Sequence, residues 1–185
     1  MIMAQAYYMR KYQLIIPTCL LFLLAGCAGI KPVSFENGQP KLDPVGFFGG
    51  RTRSAGVMET PGGKPSRRIT TETQGSIKDG VLHIEQNLYP EGQKKNHRVF
   101  VLHQIDEHHV DATADDIVGT AHGLLYGNYF TWTFRHTLTN RKFIRHVRMT
   151  QYMYLMPDGK TLIIRSVVRK FGFVLAQITE QFEKY

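Results

Sequence analysis

The feature that most constrains the fold is a succession of short runs in which apolar and polar residues alternate. The clearest run is 81–89, where apolar residues from Leu82 to Leu88 alternate with polar ones. A period of two places alternate side chains on opposite faces of a β-strand. Turn-forming sequences at 78–80 and 90–92 flank this run, as expected for hairpins. No long window shows the 3.6-residue period of an amphipathic helix.

Eight further runs have the same character and are separated by short connections. They cover 49–59, 66–77, 96–105, 107–113, 128–138, 142–155, 161–170 and 173–183. Consecutive alternating strands predict a single all-β domain over 47–185. An antiparallel up-and-down barrel is favoured, because closure removes the exposed edges of a meandering sheet. A β-sandwich is the alternative.

The N-terminus has the organisation of an export signal. Arg10 and Lys11 precede an apolar stretch that ends in Leu-Ala-Gly-Cys at 24–27. This tetrapeptide matches the bacterial lipobox, in which two small residues fit the signal peptidase and the cysteine receives diacylglycerol. We expect cleavage between Gly26 and Cys27 and acylation of Cys27, with palmitate among its chains. The alternative is an ordinary thiol behind an ordinary signal peptide.

The predicted lipoprotein signal peptide covers 1–26, and a start at Met9 gives a more compact leader than the earlier methionines. Residues 27–46 are rich in proline and glycine with little periodicity, which predicts the lipidated cysteine and a flexible tether. Ala28 follows the cysteine, where aspartate would favour retention in the inner membrane. We therefore expect a periplasm-facing domain held on the outer membrane by its lipid anchor.

The chain is basic, with 23 Lys and Arg residues against 15 Asp and Glu and a formal charge of +8. A nucleic-acid partner is not expected, because an exported protein rarely meets one and the basic residues are scattered. Anionic lipid or saccharide is a more natural partner. The alternative is a solvated basic surface without a specific ligand.

One segment interrupts the alternation. Residues 115–123 combine an acidic pair with closely spaced glycines, and another glycine stands at 127. One interpretation is a functional loop at the barrel mouth, where the main chain approaches a ligand. The alternative is a bulged strand whose glycines relieve crowding. The candidate residues are Asp116, Gly119, His122, Gly123 and Asn128.

Signals for catalysis or metal binding are weak. His108, His109 and Asp111 have ligand-compatible types, but no HxxxH or HExxH motif supports a metal site. The chain has no GxSxG elbow for a nucleophile. Only a cryptic acid and base set, such as Asp116 with His122, would make it an enzyme. We therefore predict no catalytic residue, no metal and no cofactor.

The predicted inward faces of the last four strands are apolar, with one or two polar residues each. Such a lining is typical of a small-molecule pocket. Alternatively, these residues fill a solid core in which Arg145 pairs with Glu180. The candidate ligand-binding residues are Trp132, Arg145, Ser166 and Lys170.

Short segments spread over residues 46–184 add a further signal. They are Phe47-Phe48-x-Gly50, the Gly56 region, Arg67-Arg68, Asp116-Ile117-Val118-Gly119-x-Ala121-x-Gly123, Gly127-Asn128, Met153-Tyr154-Leu155, Arg165-Ser166 and Lys170-Phe171-Gly172. Together they resemble a bacterial lipoprotein family catalogued as domain of unknown function 3833. The chain departs from that family at 150–152, where an acidic pair and tryptophan are usual, and at Ile164, where asparagine is usual.

The resemblance implies an exported lipoprotein with a lipocalin-like barrel and tilts the expected ligand toward lipid. We therefore expect an outer-membrane lipoprotein that binds a lipid, a fatty-acyl compound or another hydrophobic ligand. The alternatives are a structural or interaction lipoprotein with a filled barrel and an enzyme that acts on envelope lipid.

Overall fold

A computed structural model describes residues 29–138 and 144–185. In these ranges ten strands join into a closed antiparallel barrel, in which each strand pairs with its neighbours in sequence and the first pairs with the last. The prediction of an all-β up-and-down barrel is confirmed, and the sandwich alternative is wrong. The predicted signal peptide and Cys27 lie outside the described residues.

The observed strands match the nine predicted runs to within a few residues and add one more. They are β1 Arg51–Glu59, β2 Pro65–Lys78, β3 Val81–Pro90, β4 Asn96–Gln104, β5 His109–Ala114, β6 Ile117–Tyr126, β7 Tyr129–Thr137, β8 His146–Leu155, β9 Thr161–Lys170 and β10 Phe173–Lys184. The additional strand is β6, in the segment where alternation is interrupted.

Alternation along the strands builds the interior. In β3, Leu82, Ile84 and Gln86 are buried while Glu85 between them is exposed. The same period of two in the other strands directs their apolar side chains into the barrel. Burial of this apolar surface stabilises the fold. The core includes Phe100, Leu102, Phe130, Trp132, Phe134, Met153, Leu162, Ile164 and Phe182.

The connections between strands divide between two ends of the barrel. The end with the β2–β3, β4–β5, β6–β7 and β8–β9 connections is here called the cap end. The opposite end, with the β1–β2, β3–β4, β5–β6, β7–β8 and β9–β10 connections, is called the far end. The segment that precedes β1 lies at the cap end.

That segment contains a 3-10 helix, Pro32–Phe35, and a short α-helix, Pro44–Phe48 (α1). Leu42 and Phe47 are buried and belong to the core cluster. The prediction of a flexible tether is therefore wrong for residues 32–46, because the apolar side chains among them find a surface to bury against. Among the described residues, no helix has the length and apolar character to cross a membrane.

Two glycines permit this close packing at the cap end. The amide of Leu42 donates to the carbonyl oxygen of Gly127 at 2.8 Å. Gly127 has φ +51°, and a Cβ there would collide with the carbonyl oxygen of Phe35. A Cβ on Gly75 would likewise collide with the carbonyl of Phe48 in α1. These positions need glycine because another backbone lies where a side chain would be.

Candidate functional site

Several polar side chains inside the barrel interact with one another and are here called the interior polar cluster; Thr52, Thr73 and Ser166 are buried polar residues outside it. The members of the cluster reach inward from β1, β2, β3, β4, β7 and β10 and from the β5–β6 turn. Buried polar groups are retained only where they find partners, so their contacts indicate what the cluster can do. The members are Ser54, Thr71, Gln86, Arg98, Asp116, His136 and Glu180.

Arg98 is the cation of this cluster. Its Nε donates to Oε1 of Gln86 at 2.7 Å, and its Nη1 lies 3.4 Å from Oδ2 of Asp116. The guanidinium also lies 4.9 Å from the ring centroid of Phe100, and the side chain is only 13% exposed. Burial lowers the pKa of Arg98, whereas the charges of Asp116 and Glu180 raise it. Because arginine begins far above neutral pH, it stays charged.

Glu180 on β10 binds two hydroxyl groups, one from β1 and one from β2. Its Oε1 accepts hydrogen bonds from Ser54 Oγ at 2.7 Å and Thr71 Oγ1 at 2.8 Å. Hydrogen bonds to a carboxylate are stronger than those between neutral groups. The carboxylate therefore replaces part of its lost hydration inside the barrel.

Asp116 also faces a histidine. Nδ1 of His136 lies 3.3 Å from Oδ2 of Asp116, although the two atoms are not aligned as a hydrogen bond. Burial lowers the pKa of His136, and the charge of Arg98 lowers it further, against the opposing effect of Asp116. Among the described residues, buried Oδ1 of Asp116 and Nδ1 of His136 have no hydrogen-bond partner. Such atoms are available to a ligand or a water molecule.

A cavity adjoins the cluster. Its volume is about 50 Å³, whereas a single water molecule needs ~10–15 Å³. The interior therefore retains space beside the polar groups. The lining residues are Pro44, Phe48, Ile84, Gln86, Arg98, Phe100, Leu102, Phe130, Trp132, Gln151, Met153, Ile164, Glu180 and Phe182.

Trp132 lines this cavity, as predicted for an inward-facing residue. Its Nε1 donates to Oε1 of Gln151 at 2.5 Å, and Nε2 of Gln151 donates to Oγ of Ser166 at 2.8 Å. The indole ring stacks on Phe100 with centroids 5.6 Å apart. Ser166, another candidate, is buried and reaches the cavity wall only through Gln151.

Two of the candidate ligand-binding residues do not reach the cavity. Arg145 precedes β8 and is exposed, so the prediction that it faces inward is wrong, and so is the alternative in which it pairs with Glu180. The inward period of β8 does not extend to a residue outside the strand. Lys170 ends β9, and its Nζ donates to the carbonyl oxygen of His146 at the far end.

The candidate loop residues are dispersed by the structure. The segment is strand β6 with a bulge between Val118 and His122, which corresponds to the bulged-strand interpretation. Asp116 faces the interior, whereas exposed His122 binds Asp111 through Nδ1 at 2.7 Å. The acid and base set of Asp116 with His122 is therefore not assembled. Asn128 lies at the cap end, where its backbone oxygen accepts from the amide of Leu155.

The glycines of β6 lead to a prediction. Gly119 has φ +77° in open space, and a Cβ on Gly123 would come within 2.5 Å of the Phe130 ring. Alanine at Gly119 is expected to destabilise the fold by about 1 kcal/mol through backbone strain. At Gly123 overpacking is expected to cost about 1–3 kcal/mol. Chemical denaturation measures both, with Gly62→Ala as a control because no atom lies within 4 Å there. Equal stability of all three variants would contradict the prediction.

The sequence missed Arg98 as the interior cation. A usable signal was present, because Arg98, Phe100 and Leu102 alternate with exposed or half-exposed residues along β4. Gln86 and Glu180 alternate with apolar residues in the sequence, which indicates inward faces but not their partners. Ser54 and Thr71 carried no signal, since a hydroxyl side chain in a strand is equally common on the outer face.

Comparison with solved structures agrees with this architecture. The S-type phycobiliprotein lyase CPES from Guillardia theta aligns with a TM-score of 0.56 over 84% of this chain and 98% of that chain. Sequence identity is 10%, so the likeness shows the fold alone, a lipocalin-like barrel. No curated protein sequence matches the chain.

A family model provides a more direct relationship. The model of a family described as protein of unknown function, DUF3833, matches residues 21–184. The match includes every strand of the barrel and all residues of the interior polar cluster. The chain therefore belongs to the DUF3833 family.

Proposed function

We propose that the protein is an outer-membrane lipoprotein, anchored through Cys27 and facing the periplasm, whose barrel binds a lipid or other hydrophobic ligand. The observation that carries the binding proposal is the cavity between Trp132 and Arg98. Aromatic and aliphatic side chains form most of its wall, with a few converging polar groups. This combination is the usual make-up of a site for a small amphipathic molecule.

The charges beside the cavity restrict the polar end of the ligand. Arg98 is the interior cation and is already faced by Asp116 and Glu180. A ligand carboxylate would bring a third acidic group beside one guanidinium, at a high cost in a poorly hydrated interior. A neutral, hydroxylated head group instead forms hydrogen bonds with the polar side chains that line the cavity, such as Gln86, Gln151 and Glu180. The proposed ligand is therefore a neutral lipid such as a monoacylglycerol.

The size of the cavity assigns a role to α1. Pro44 and Phe48 form part of the wall, and the Phe48 ring lies against Phe182 with centroids 6.1 Å apart. The space available holds the end of an acyl chain and not its whole length. A longer ligand requires α1 to move away from the barrel, so we propose α1 as a displaceable cap.

Titration of Trp132 fluorescence tests ligand binding, since this is the only tryptophan of the chain. Monoolein is expected to change the emission saturably, and oleate to bind at least tenfold more weakly. Phe48→Ala should increase the affinity for monoolein because it opens the cap. Ile105→Ala, at an exposed position, serves as the matched control. A Trp132 signal that no lipid changes would favour the structural alternative with a filled barrel.

The anchor has its own test. Cys27→Ala is expected to leave an unprocessed precursor without palmitate and to remove the protein from the outer-membrane fraction. The reason is that acylation of the cysteine is the proposed attachment. Radiolabelled palmitate followed by membrane fractionation measures both effects. Palmitate incorporation that persists in this variant would contradict the assignment.

An enzyme acting on envelope lipid is the second candidate. The observation in its favour is the close approach of His136 to Asp116, with the lowered pKa of His136 that suits a general base. Mass spectrometry of the lipid after the titration separates the candidates, because a binding protein returns the lipid unchanged.

A further inference from the structure

The outer wall of the barrel at the far end carries three arginines side by side. Arg135 on β7 is directly opposite Arg148 on β8, which is directly opposite Arg169 on β9. Arg135 and Arg148 are exposed and lie next to buried residues, so they belong to the outward set. Half-buried Arg169 is on the same face because it is directly opposite Arg148. We call Arg135, Arg148 and Arg169 the arginine row.

This arrangement opposes folding unless another partner neutralises it. Like charges directly opposite on neighbouring strands destabilise a sheet. In the described ranges, no carboxylate lies within 4 Å of any arginine of the row. Elsewhere on the surface, Arg53 pairs with Glu183 and Arg68 with Glu91. The row is thus an unneutralised basic surface.

Two aromatic side chains project next to the row. Phe171 and Phe173, in and beside the β9–β10 turn, are 87% and 76% exposed. Phe171 has φ +51°, a conformation that favours glycine or asparagine over a bulky residue. Neither burial nor turn geometry accounts for phenylalanine at this position. We call Phe171 and Phe173 the phenylalanine tip.

We propose that the arginine row and the phenylalanine tip dock on the surface of an anionic phospholipid bilayer. Arginine binds phosphate with two parallel hydrogen bonds, and exposed phenylalanine gains by entering the boundary between head groups and acyl chains. Each basic residue at such a surface contributes a favourable interaction that salt screens. An acidic protein surface would also pair with the arginines, but it lacks the apolar layer into which the phenylalanine rings can insert.

The path of the chain agrees with this orientation. Phe35, just after the start of the folded unit, stacks on Tyr129 and touches Tyr154 edge-on. Tyr129 and Tyr154 lie on the outer face of β7 and β8, the same face that carries Arg135 and Arg148. The chain therefore joins the barrel at the cap end of the wall that bears the row at its far end, so the length of this wall faces the proposed membrane. This step rests on the proposed anchor. If Cys27 is acylated, the segment before Phe35 leads to the same membrane that this wall contacts.

Depth-dependent quenching tests the docking in the full mature protein reconstituted on vesicles. Phe171→Trp adds an indole at the tip, and the unsubstituted protein provides the Trp132 background. Ile105→Trp is the matched control, because Ile105 is 60% exposed at the cap end between β4 and β5. The vesicles contain brominated phosphatidylcholine alone or with phosphatidylglycerol.

We expect bromine to quench the indole added at the tip in anionic vesicles and to leave the control indole unquenched. Arg148→Gln should lower the ratio of docked to undocked protein about fivefold, and added salt should act in the same direction. Quenching that is equal at both positions, or independent of Arg148 and phosphatidylglycerol, would overturn the proposal. The proposal would also be overturned if polyglutamate bound the arginine row while anionic vesicles left the tip unquenched. That result would assign the surface to an acidic protein.

Flotation separates this inference from the proposed anchor. If the protein has no acyl chains, high salt screens the docking and every variant separates from the floating vesicles. A protein that is anchored but not docked would float with the vesicles while the tip stayed unquenched.

Discussion

Arg98→Met is expected to lower the free energy of unfolding by about 3–5 kcal/mol. The substitution keeps an unbranched stem in place of the arginine methylenes but removes the cation that faces Asp116 and Glu180. Both carboxylates would then lie in the barrel without a counter-charge, and Gln86 would lose its 2.7 Å hydrogen bond. Urea denaturation followed by circular dichroism measures the change.

Arg145→Met is the matched control for this prediction. Arg145 is exposed and lies outside the strands, so its loss should change stability by no more than about 0.5 kcal/mol. A second check combines Arg98→Met with Glu180→Gln, which should recover part of the loss because the two sites interact. Equal stability of the Arg98 and Arg145 variants would show that Arg98 does not stabilise the buried carboxylates of Asp116 and Glu180.

Trp132→Ala is expected to have an effect of similar size, about 3–5 kcal/mol of destabilisation. The indole is only 6% exposed and lies among Phe100, Phe130 and Phe134, with ring centroids 5.3–5.7 Å away. Its removal leaves a large void in the core, and Gln151 loses the donor that binds its oxygen. Circular dichroism again provides the measurement, because the variant has no tryptophan fluorescence.

Trp132→Phe separates the loss of packing from the loss of the hydrogen bond. Phenylalanine retains an aromatic ring among the three neighbours but not the indole N–H. We expect this variant to lose clearly less stability than the alanine variant, because most of the buried apolar volume remains. If both variants lost the same amount, the hydrogen bond to Gln151 and not packing would dominate at this position.

Prediction of the strands succeeded wherever the period of two was unbroken. It failed at β6, where the bulge between Val118 and His122 inserts residues on one side of the ladder. Two residues are inserted there, so the parity is kept, but exposed Gly119 interrupts the inward series of Ile117, Ala121, Gly123 and Leu125. Of these inward residues, Ala121 and Gly123 carry little apolar signal.

Prediction of the site succeeded for Trp132 and failed for Arg145. Trp132 lies well inside β7, so the face on which it lies follows from its neighbours. Arg145 lies one residue before β8, at the far end of the barrel, where a side chain on the inward parity is exposed to solvent. The prediction failed because it extended the period of two in β8 to Arg145, which lies outside the strand.

The tether prediction fails at residues 32–46 for a related reason. Proline and glycine in 32–46 exclude a regular strand or long helix, but they do not exclude packing against a surface. Gly75 and Gly127 create that surface, and they are remote from 32–46 in sequence.

By itself, the sequence determined the all-β class, nine of the strands and the faces within them, because alternation and turn residues act over a few neighbours. Only the tertiary structure decided which inward polar groups meet. Ser54 and Glu180 are 126 residues apart and form a 2.7 Å hydrogen bond because β1 closes the barrel against β10. Barrel closure sets the register between strands remote in sequence, and that register places Arg98 between two carboxylates.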